Sequence, residues 1–395
     1  MGIVLKYLEE SSEGSATIYD AQFRSINDFE LDSHSEYEDH VAVDDTNDKG
    51  KKYAEDSPQK KGCHTISLID SKKKLDKSIF KFFLDGSRHV YKVGDVAISG
   101  SIYPLVAGQV VVGCCRRSNR KMEMFRCHRL FVLAVPDVYD VDNIGVNFFK
   151  KRTESINSKL RNDKIAQRFG IQIDRVIPYN TSSKNKEEGR NKYLHQAITV
   201  VQNEMMDQER KLVEEMCAEG LFDDKSFLIK DGTIEYRKDF SNRSDSDSNL
   251  DVASFGITFR HVVGVSKLFN AELLSEVEPK IAKMIAELKP FQRTNAYKYT
   301  HEGKKYCVWY LRIRDTKNRP NSYADVIKVE FILVGDEDVT ETARVDMISN
   351  HLINEAYPVC FGKDSRWANH IYPMYVTENY CKSQYINDEL MIKII

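Results

Sequence analysis

One nine-residue stretch, Phe80-Lys81-Phe82-Phe83-Leu84-Asp85-Gly86-Ser87-Arg88, restricts what this chain can fold into more than any other. Its apolar residues run almost unbroken into an acid, a glycine and a polar residue. A short continuous apolar run that ends in turn chemistry reads as a strand buried on both faces. Gly86 would let the backbone turn sharply, and the Asp85 carboxylate would project from the strand's exit. Two readings fit that exit. One is an Asp-Gly turn between two strands; the other is a hard-oxygen ligand for a divalent cation on a rigid support.

The pattern returns downstream as Ser226-Phe227-Leu228-Ile229-Lys230-Asp231-Gly232-Thr233. Parallel neighbouring strands would bring the two exit acids together, as in a ribonuclease H-like metal site. What lies between suits that arrangement. Val90 to Ile98, Ile102 to Cys114 and Met124 to Val135 are rich in β-branched and aromatic residues and read as successive antiparallel strands. A long helix from about Asn191 to Ala218 follows, with Leu194, Ile198, Val201, Met205, Leu212, Val213 and Met216 spaced for one buried face. Beyond Asp231, His261 to Lys267 is a short buried strand delivering a lysine, and a helix is expected from about Ala271 to Leu288. Tyr306 to Ile313 and Val326 to Val334 read as strands, Asp338 to Asn354 as a helix, and the segment from Arg366 leads into a terminal helix. The expected fold is α/β: a mixed sheet flanked by helices, with a crossing helix before Asp231, polar loop insertions and a small N-terminal extension.

That extension covers residues 1–75, with the main α/β domain over 76–395. Ile3 to Leu8 and Ala16 to Phe23 could be short strands. About residues 32–61 are acidic and then polar, with too little apolar content to offset their ordering entropy, and read as flexible. Thr181 to Arg190 and Asp239 to Asp251 read as further polar excursions.

Charge and composition exclude several classes. The formal net charge is -2, so no whole-chain basic excess advertises nucleic acid, although a local basic groove remains allowed. No apolar run approaches the ~20 residues of a membrane span. The start, Met1-Gly2-Ile3-Val4-Leu5-Lys6, has neither a signal-peptide pattern nor a myristoylation signal. The eight cysteines are scattered, and Cys114, Cys115, Cys127 and His128 lack the paired spacing of a structural zinc site. A cytoplasmic protein with reduced, mostly buried thiols is expected.

Taken in order, Leu84-Asp85-Gly86-Ser87, Ile229-Lys230-Asp231-Gly232, Val263-Gly264-Val265-Ser266-Lys267, Val326-Ile327-Lys328-Val329-Glu330 and Tyr372-Pro373 resemble the NurA nuclease family. The resemblance spans roughly residues 78 to 395. It implies a ribonuclease H-like core, a homodimer, Mn2+- or Mg2+-dependent cleavage of DNA, and partnership with a HerA-type hexameric ATPase, in DNA end processing or defence against foreign DNA. It places metal ligands at Asp85 and Asp231, with a third carboxylate on the preceding helix, put at Glu214 by spacing, with Glu215 as competitor. The family's C-terminal Ala-His pair is missing: Asn379-Tyr380-Cys381 stands there. His370 could reach the site, or could cap a helix or lie on the surface.

Three carboxylates can hold one or two divalent ions that activate water and bridge a scissile phosphate. Lys267 would then offset charge on the phosphate, or else be a solvent-facing strand-end lysine. Tyr372 would orient substrate or water, or else be an aromatic at a Pro turn. The basic Lys150 to Arg161 segment and the Lys289 to Lys305 region, with Arg293, Lys298 and Lys304, are candidate phosphate contacts or simply solvated faces. A catalytically weak structural adaptor on the ATPase ring is the alternative. A nucleotide phosphotransferase is a poor fit because no Gly-rich phosphate loop is present.

Overall fold

The computed structural model describes residues 2–12, 14–26, 63–66, 78–119, 121–139, 146–182, 192–236, 252–275, 278–317, 319, 321–339, 342–361 and 366–395. Segment 32–61 and most of the two later polar excursions therefore lie outside the described residues. Helix α1 (Ile3–Glu10) and strand β1 (Ala16–Ile26) precede β2 (Cys63–Thr65) and three long strands, β3 (Phe80–Ile98), β4 (Ser101–Ser118) and β5 (Lys121–Pro136). Helices α2 (Val146–Leu160) and α3 (Lys164–Phe169) and strand β6 (Arg175–Tyr179) lead to the long α4 (Lys192–Ala218). Next come β7 (Phe227–Asp231), α5 (Val252–Phe259), β8 (Val262–Ser266) and α6 (Ile281–Glu287). Strands β9 (Gln292–Thr294), β10 (Tyr297–His301), β11 (Lys304–Arg312) and β12 (Val326–Leu333) precede α7 (Thr342–Glu355), α8 (Tyr372–Ser383) and α9 (Asp388–Ile394).

All twelve strands join one mixed sheet with the path β2-β9-β11-β12-β8-β7-β3-β4-β5-β6; β1 pairs with β3 and β10 with β11. Strands β3, β4 and β5 run antiparallel in sequence. The chain then crosses back through α4, and β7 and β8 lie parallel to β3 on its other side. Three antiparallel strands followed by two parallel ones across a helical crossover is the ribonuclease H-like order. Strand β12 extends it antiparallel to β8. The fold is therefore the expected α/β class, a large mixed sheet flanked by helices.

Helix α4 forms where its period of apolar residues predicts, and it buries Ile198, Val201, Met205, Leu212, Val213 and Met216 against one face of the sheet. Each such side chain stabilises by about 1.5–3 kcal/mol relative to exposure, which fixes the helix on the sheet. The opposite face carries Phe83, Ile229, Val263, Trp309 and Ile327 packed with Ile348 of α7 and Met374 of α8.

Three local expectations are corrected. Ile3 to Leu8 is helical, not extended: Val4, Leu5 and Leu8 fall on one helical face and are buried. They pack with Met391 and Ile394 of α9, and the Leu5 amide donates to the Ile395 carbonyl at 3.1 Å. The helix expected from Ala271 is shorter, beginning only at Ile281. Most consequentially, β3 does not end at Asp85; it continues to Ile98, with Gly86 paired to Val112 of β4. A Cβ on Gly86 would sit 2.5 Å from Glu209 Oε1 and 3.0 Å from Met205 Cγ. The glycine admits α4 close to the strand and makes no turn. Among the described residues, no helix is long and apolar enough to cross a membrane.

Candidate metal centre

Strand β3 changes partner at Asp85. Its first part pairs in parallel with β7 as far as Leu84↔Lys230, and β1 takes over that edge only at Val90. Between those points the described residues give β3 a strand partner only on its β4 side, where Asp85 faces Gly113. So Asp85 does stand at the exit of the parallel pairing, although its own strand runs on. Asp231 ends β7 one step beyond the last paired residues, opposite Val265 of β8, and Lys267 follows β8 directly.

Period-2 alternation sends neighbouring side chains of β7 to opposite faces. Lys230 reaches Glu209 of α4 at 3.0 Å, both essentially buried. Asp231 points the other way, where Lys267 Nζ lies 2.7 Å from its Oδ2. The same ammonium lies 3.1 Å from Glu378 Oε2, and Lys382, one turn further along α8, is 2.9 Å from the other Glu378 oxygen. One ligand oxygen from each of Asp85, Asp231 and Glu378 lies within 4.8 Å of the other two. Gly113 permits this convergence, since a Cβ there would lie 2.6 Å from Cys381 Sγ and push α8 away. The Cys381 thiol instead donates to the Asp85 carbonyl at 3.6 Å.

The electrostatics follow from that crowding. Burial pushes the Asp85 carboxyl well above the usual range, and Asp231, Glu378 and Glu209 add to the rise, against the pull of Lys267. Burial also raises Glu378, but Lys267 and Lys382 outweigh it and hold this acid down at about 2. For Lys267 burial works against the charged form, yet Asp231, Glu378 and Asp85 more than compensate and keep it protonated. The cluster is thus short of positive charge at Asp85.

The donor set suits a hard divalent cation: three carboxylates on two neighbouring strands and a packed helix, which favour oxygen-liganded Mg2+ or Mn2+ over a soft metal. The Lys267 ammonium between Asp231 and Glu378 shows that these oxygens already converge on a cation.

Of the residues expected from sequence, Asp85, Asp231 and Lys267 are brought together; Glu214 is not. Glu214 pairs with Arg210 at 2.9 Å, and its competitor Glu215 lies half-exposed, 3.5 Å from His128. The reason is helical phase. Met205, Glu209, Leu212 and Met216 form the stripe that α4 buries, and Glu214 falls beside it. Spacing to Asp231 points to Glu214, whereas the apolar period of the helix turns Glu209, paired with Lys230, toward the sheet. Tyr372 opens α8 on the same helix as Glu378 and is 37 % exposed. His370 is buried, not on the surface; it closes the short 3-10 turn Trp367–Asn369, with Nδ1 3.9 Å from Glu378 Oε2.

Glu378 was missed. Its signal was there in the buried stripe Met374, Thr377 and Cys381, beside which Glu378 sits with Lys382 one turn on. The expected basic contacts are also corrected in part. Arg293 is fully buried on Asp346 at 2.7 Å, Lys298 pairs with Asp338 at 3.0 Å, and Lys304 is buried, donating to the Tyr236 carbonyl. Arg152 donates to the Ser11 carbonyl and lies over the Phe148 ring. These side chains hold the fold together. None of the eight cysteines is assigned to a disulfide among the described residues, in line with the expected reduced thiols.

No known family profile matches the chain, and no curated protein does so significantly. Among solved structures, a likeness is found to the crystal structure of the NurA nuclease from Sulfolobus solfataricus, with 11 % identity over 81 % of each chain and a TM-score of 0.39.

Proposed function

We propose that this chain is a divalent-metal-dependent deoxyribonuclease whose site is Asp85, Asp231 and Glu378 with Lys267. The observation that carries the reading is the convergence of three carboxylates and one lysine where the parallel pairing of β3 and β7 ends. Glu378 takes the place that spacing gave to Glu214. Bound Mn2+ or Mg2+ would supply Lewis-acid polarisation of a phosphate and lower the pKa of a water. The chain's own residues do the rest. Asp85 is the ligand whose ionisation depends on added positive charge, because burial beside Asp231 favours its protonated form. Lys267, held cationic, offsets charge on a phosphate at the cluster. Tyr372, at the exposed start of α8, is proposed to orient the substrate. The homodimer, the HerA-type ATPase partner and a role in end processing or defence belong to the same proposal, on the strength of the sequence resemblance.

One observation favours the adaptor reading: Lys267 already pairs internally with two of the three acids. The test separates the two. End-labelled linear DNA and closed circular DNA are incubated with the purified chain in Mn2+, in Mg2+ or in chelator, with and without a HerA-type ATPase. Degradation is expected in metal only, and Asp85→Ala and Asp231→Ala are each expected to abolish it while leaving the oligomeric state unchanged. Undiminished degradation by either variant would sink the site assignment. Full resistance of DNA under every condition, in the presence of the ATPase, would leave the adaptor.

A further inference from the structure

Four large aromatic residues, Tyr357, Phe361, Trp367 and Tyr372, lie within a short span leading into α8, and three of them are strongly exposed: Phe361 74 %, Tyr357 50 % and Tyr372 37 %. Phe361 and Trp367 stack on each other with ring centroids 4.6 Å apart and planes 28° apart. Single exposed aromatics need no explanation. A stacked pair whose neighbouring residue Asn369 is bonded to the backbone of Lys267, at the carboxylate cluster, does.

The rigidity comes from below. Arg314 is buried, and its guanidinium donates to the carbonyls of Ala356, Ala368 and His370, with Tyr357 lying over it at 5.9 Å. One side chain therefore ties down both ends of the aromatic span. Burial of a guanidinium is costly unless its donors are satisfied, so this brace is a substantial investment in a surface segment. Asn369 provides the second tie. Its amide donates to the carbonyls of Lys267 at 3.0 Å and Val326 at 2.8 Å, and its oxygen accepts from the Asp325 amide at 2.9 Å. The residue bonded to Asn369 is the same Lys267 whose ammonium sits between Asp231 and Glu378. The aromatic span and the carboxylates are thus positioned by shared backbone.

We propose that the Phe361–Trp367 stack is a platform for unpaired nucleobases of the strand whose backbone lies at the carboxylates, an inference that rests on the nuclease reading. Every base has a π-face, and stacking on an aromatic side chain holds single-stranded nucleic acid without reading its sequence. Duplex bases are already stacked on each other and offer no free face. The platform therefore makes the site selective for single-stranded or frayed ends.

The test uses the full chain in chelator, so that binding is read without cleavage. The probes are a fluorescein-labelled oligothymidylate of about twelve nucleotides, the same backbone made abasic, and a blunt duplex. Trp367 is also a built-in reporter, because the other tryptophan, Trp309, is fully buried and bonded to Ser349. The oligothymidylate is expected to quench Trp367 emission. Phe361→Ala is expected to weaken its binding ~5- to 150-fold, the range of one lost stacking contact, with duplex binding unchanged. The abasic strand should bind the native chain about as weakly as the oligothymidylate binds the variant. Phe361 is so exposed that its loss leaves folding intact, checked by an unchanged unfolding temperature. Equal oligothymidylate affinity of native chain and variant overturns the platform while the nuclease reading stands. Retained binding together with a smaller particle mass for Phe361→Ala in light scattering also overturns it, and gives the surface to a second copy of the chain. If none of the three probes binds, the platform is overturned, while the nuclease reading is judged separately by the cleavage test in metal with the ATPase.

Discussion

Replacing Asp85 by Asn tests whether this carboxylate is held for a cation at the expense of the fold. The side chain is buried, next to Asp231 and near Glu378 and Glu209, with Lys267 opposing that repulsion. Asn keeps the shape and removes the charge. The sign follows from the raised folded-state value. Stability from the protonated Asp85 is fully present below its unfolded value near 3.8 and is lost as pH rises through the higher folded value. In chelator, Asp85→Asn is therefore expected to unfold at or above the native temperature at pH 8, with the difference shrinking as pH falls toward 4. Metal reverses the order. A cation at 100 times its Kd stabilises a folded protein by about 2.7 kcal/mol. Unfolding entropy of about 2.1 cal/mol/K per residue, over 395 residues, converts that into a rise of roughly 3 °C for the native chain. Little or no rise is expected for Asp85→Asn. Thermal unfolding followed by circular dichroism at pH 5 and 8, in chelator and in millimolar Mn2+, reads all of these shifts. A variant less stable than native at pH 8 in chelator, or one that keeps the full Mn2+ shift, refutes the reasoning.

Two further outcomes test the geometry around that acid. Glu209→Ala leaves Lys230 buried without its ion-pair partner and is expected to cost about 3–5 kcal/mol in denaturant unfolding, whereas Glu214→Ala, on the partly exposed Arg210 pair, should stay within about 1 kcal/mol and leave the proposed metal-dependent cleavage unchanged; the reverse ranking would contradict the helical phase described above. Gly86→Ala places a methyl against Glu209 Oε1 and Met205 and is expected to cost about 1–3 kcal/mol by overpacking; an unchanged unfolding midpoint would return Gly86 to the role of a simple turn residue.

The two Asp-Gly exits were legible because the apolar runs before them are unmistakable, and β3 and β7 do pair in parallel up to Leu84 and Lys230. Helix α4 was legible for the same reason, from its repeat of apolar residues. Gly86 misled because a glycine after an acid suggests a turn equally when its function is to admit a helix; only the distance to Glu209 distinguishes the two. Glu214 misled because linear distance to Asp231 ignores rotation about the helix axis, information that the apolar stripe already held. Arg293 and Lys304 looked like DNA contacts because composition cannot tell a cation on a surface from one buried against Asp346 or the Tyr236 carbonyl. Glu378 requires the tertiary fold: it reaches Asp231 only because Gly113 lets α8 approach β4.

The adjacent pair Lys230 and Asp231 explains how the sheet carries an acidic site without accumulating repulsion on both sides. Alternation sends Lys230 to Glu209, a pair that is neutral as a whole and held by α4. The same alternation leaves Asp231 on the face where Asp85 and Glu378 gather with Lys267. Below the sheet, charge is balanced and the strand is locked; above it, charge is left short by design of the same dipeptide. A second brace follows within three residues: Glu330 accepts from the Thr233 hydroxyl and the Ile234 amide, both at 2.6 Å, and is paired with Lys328 at 3.1 Å. The segment on each side of Asp231 is thus fixed by a buried ion pair. Precise placement of a carboxylate beside two others requires such support, because a flexible Asp231 would relax away from Asp85 and the carboxylates would no longer converge.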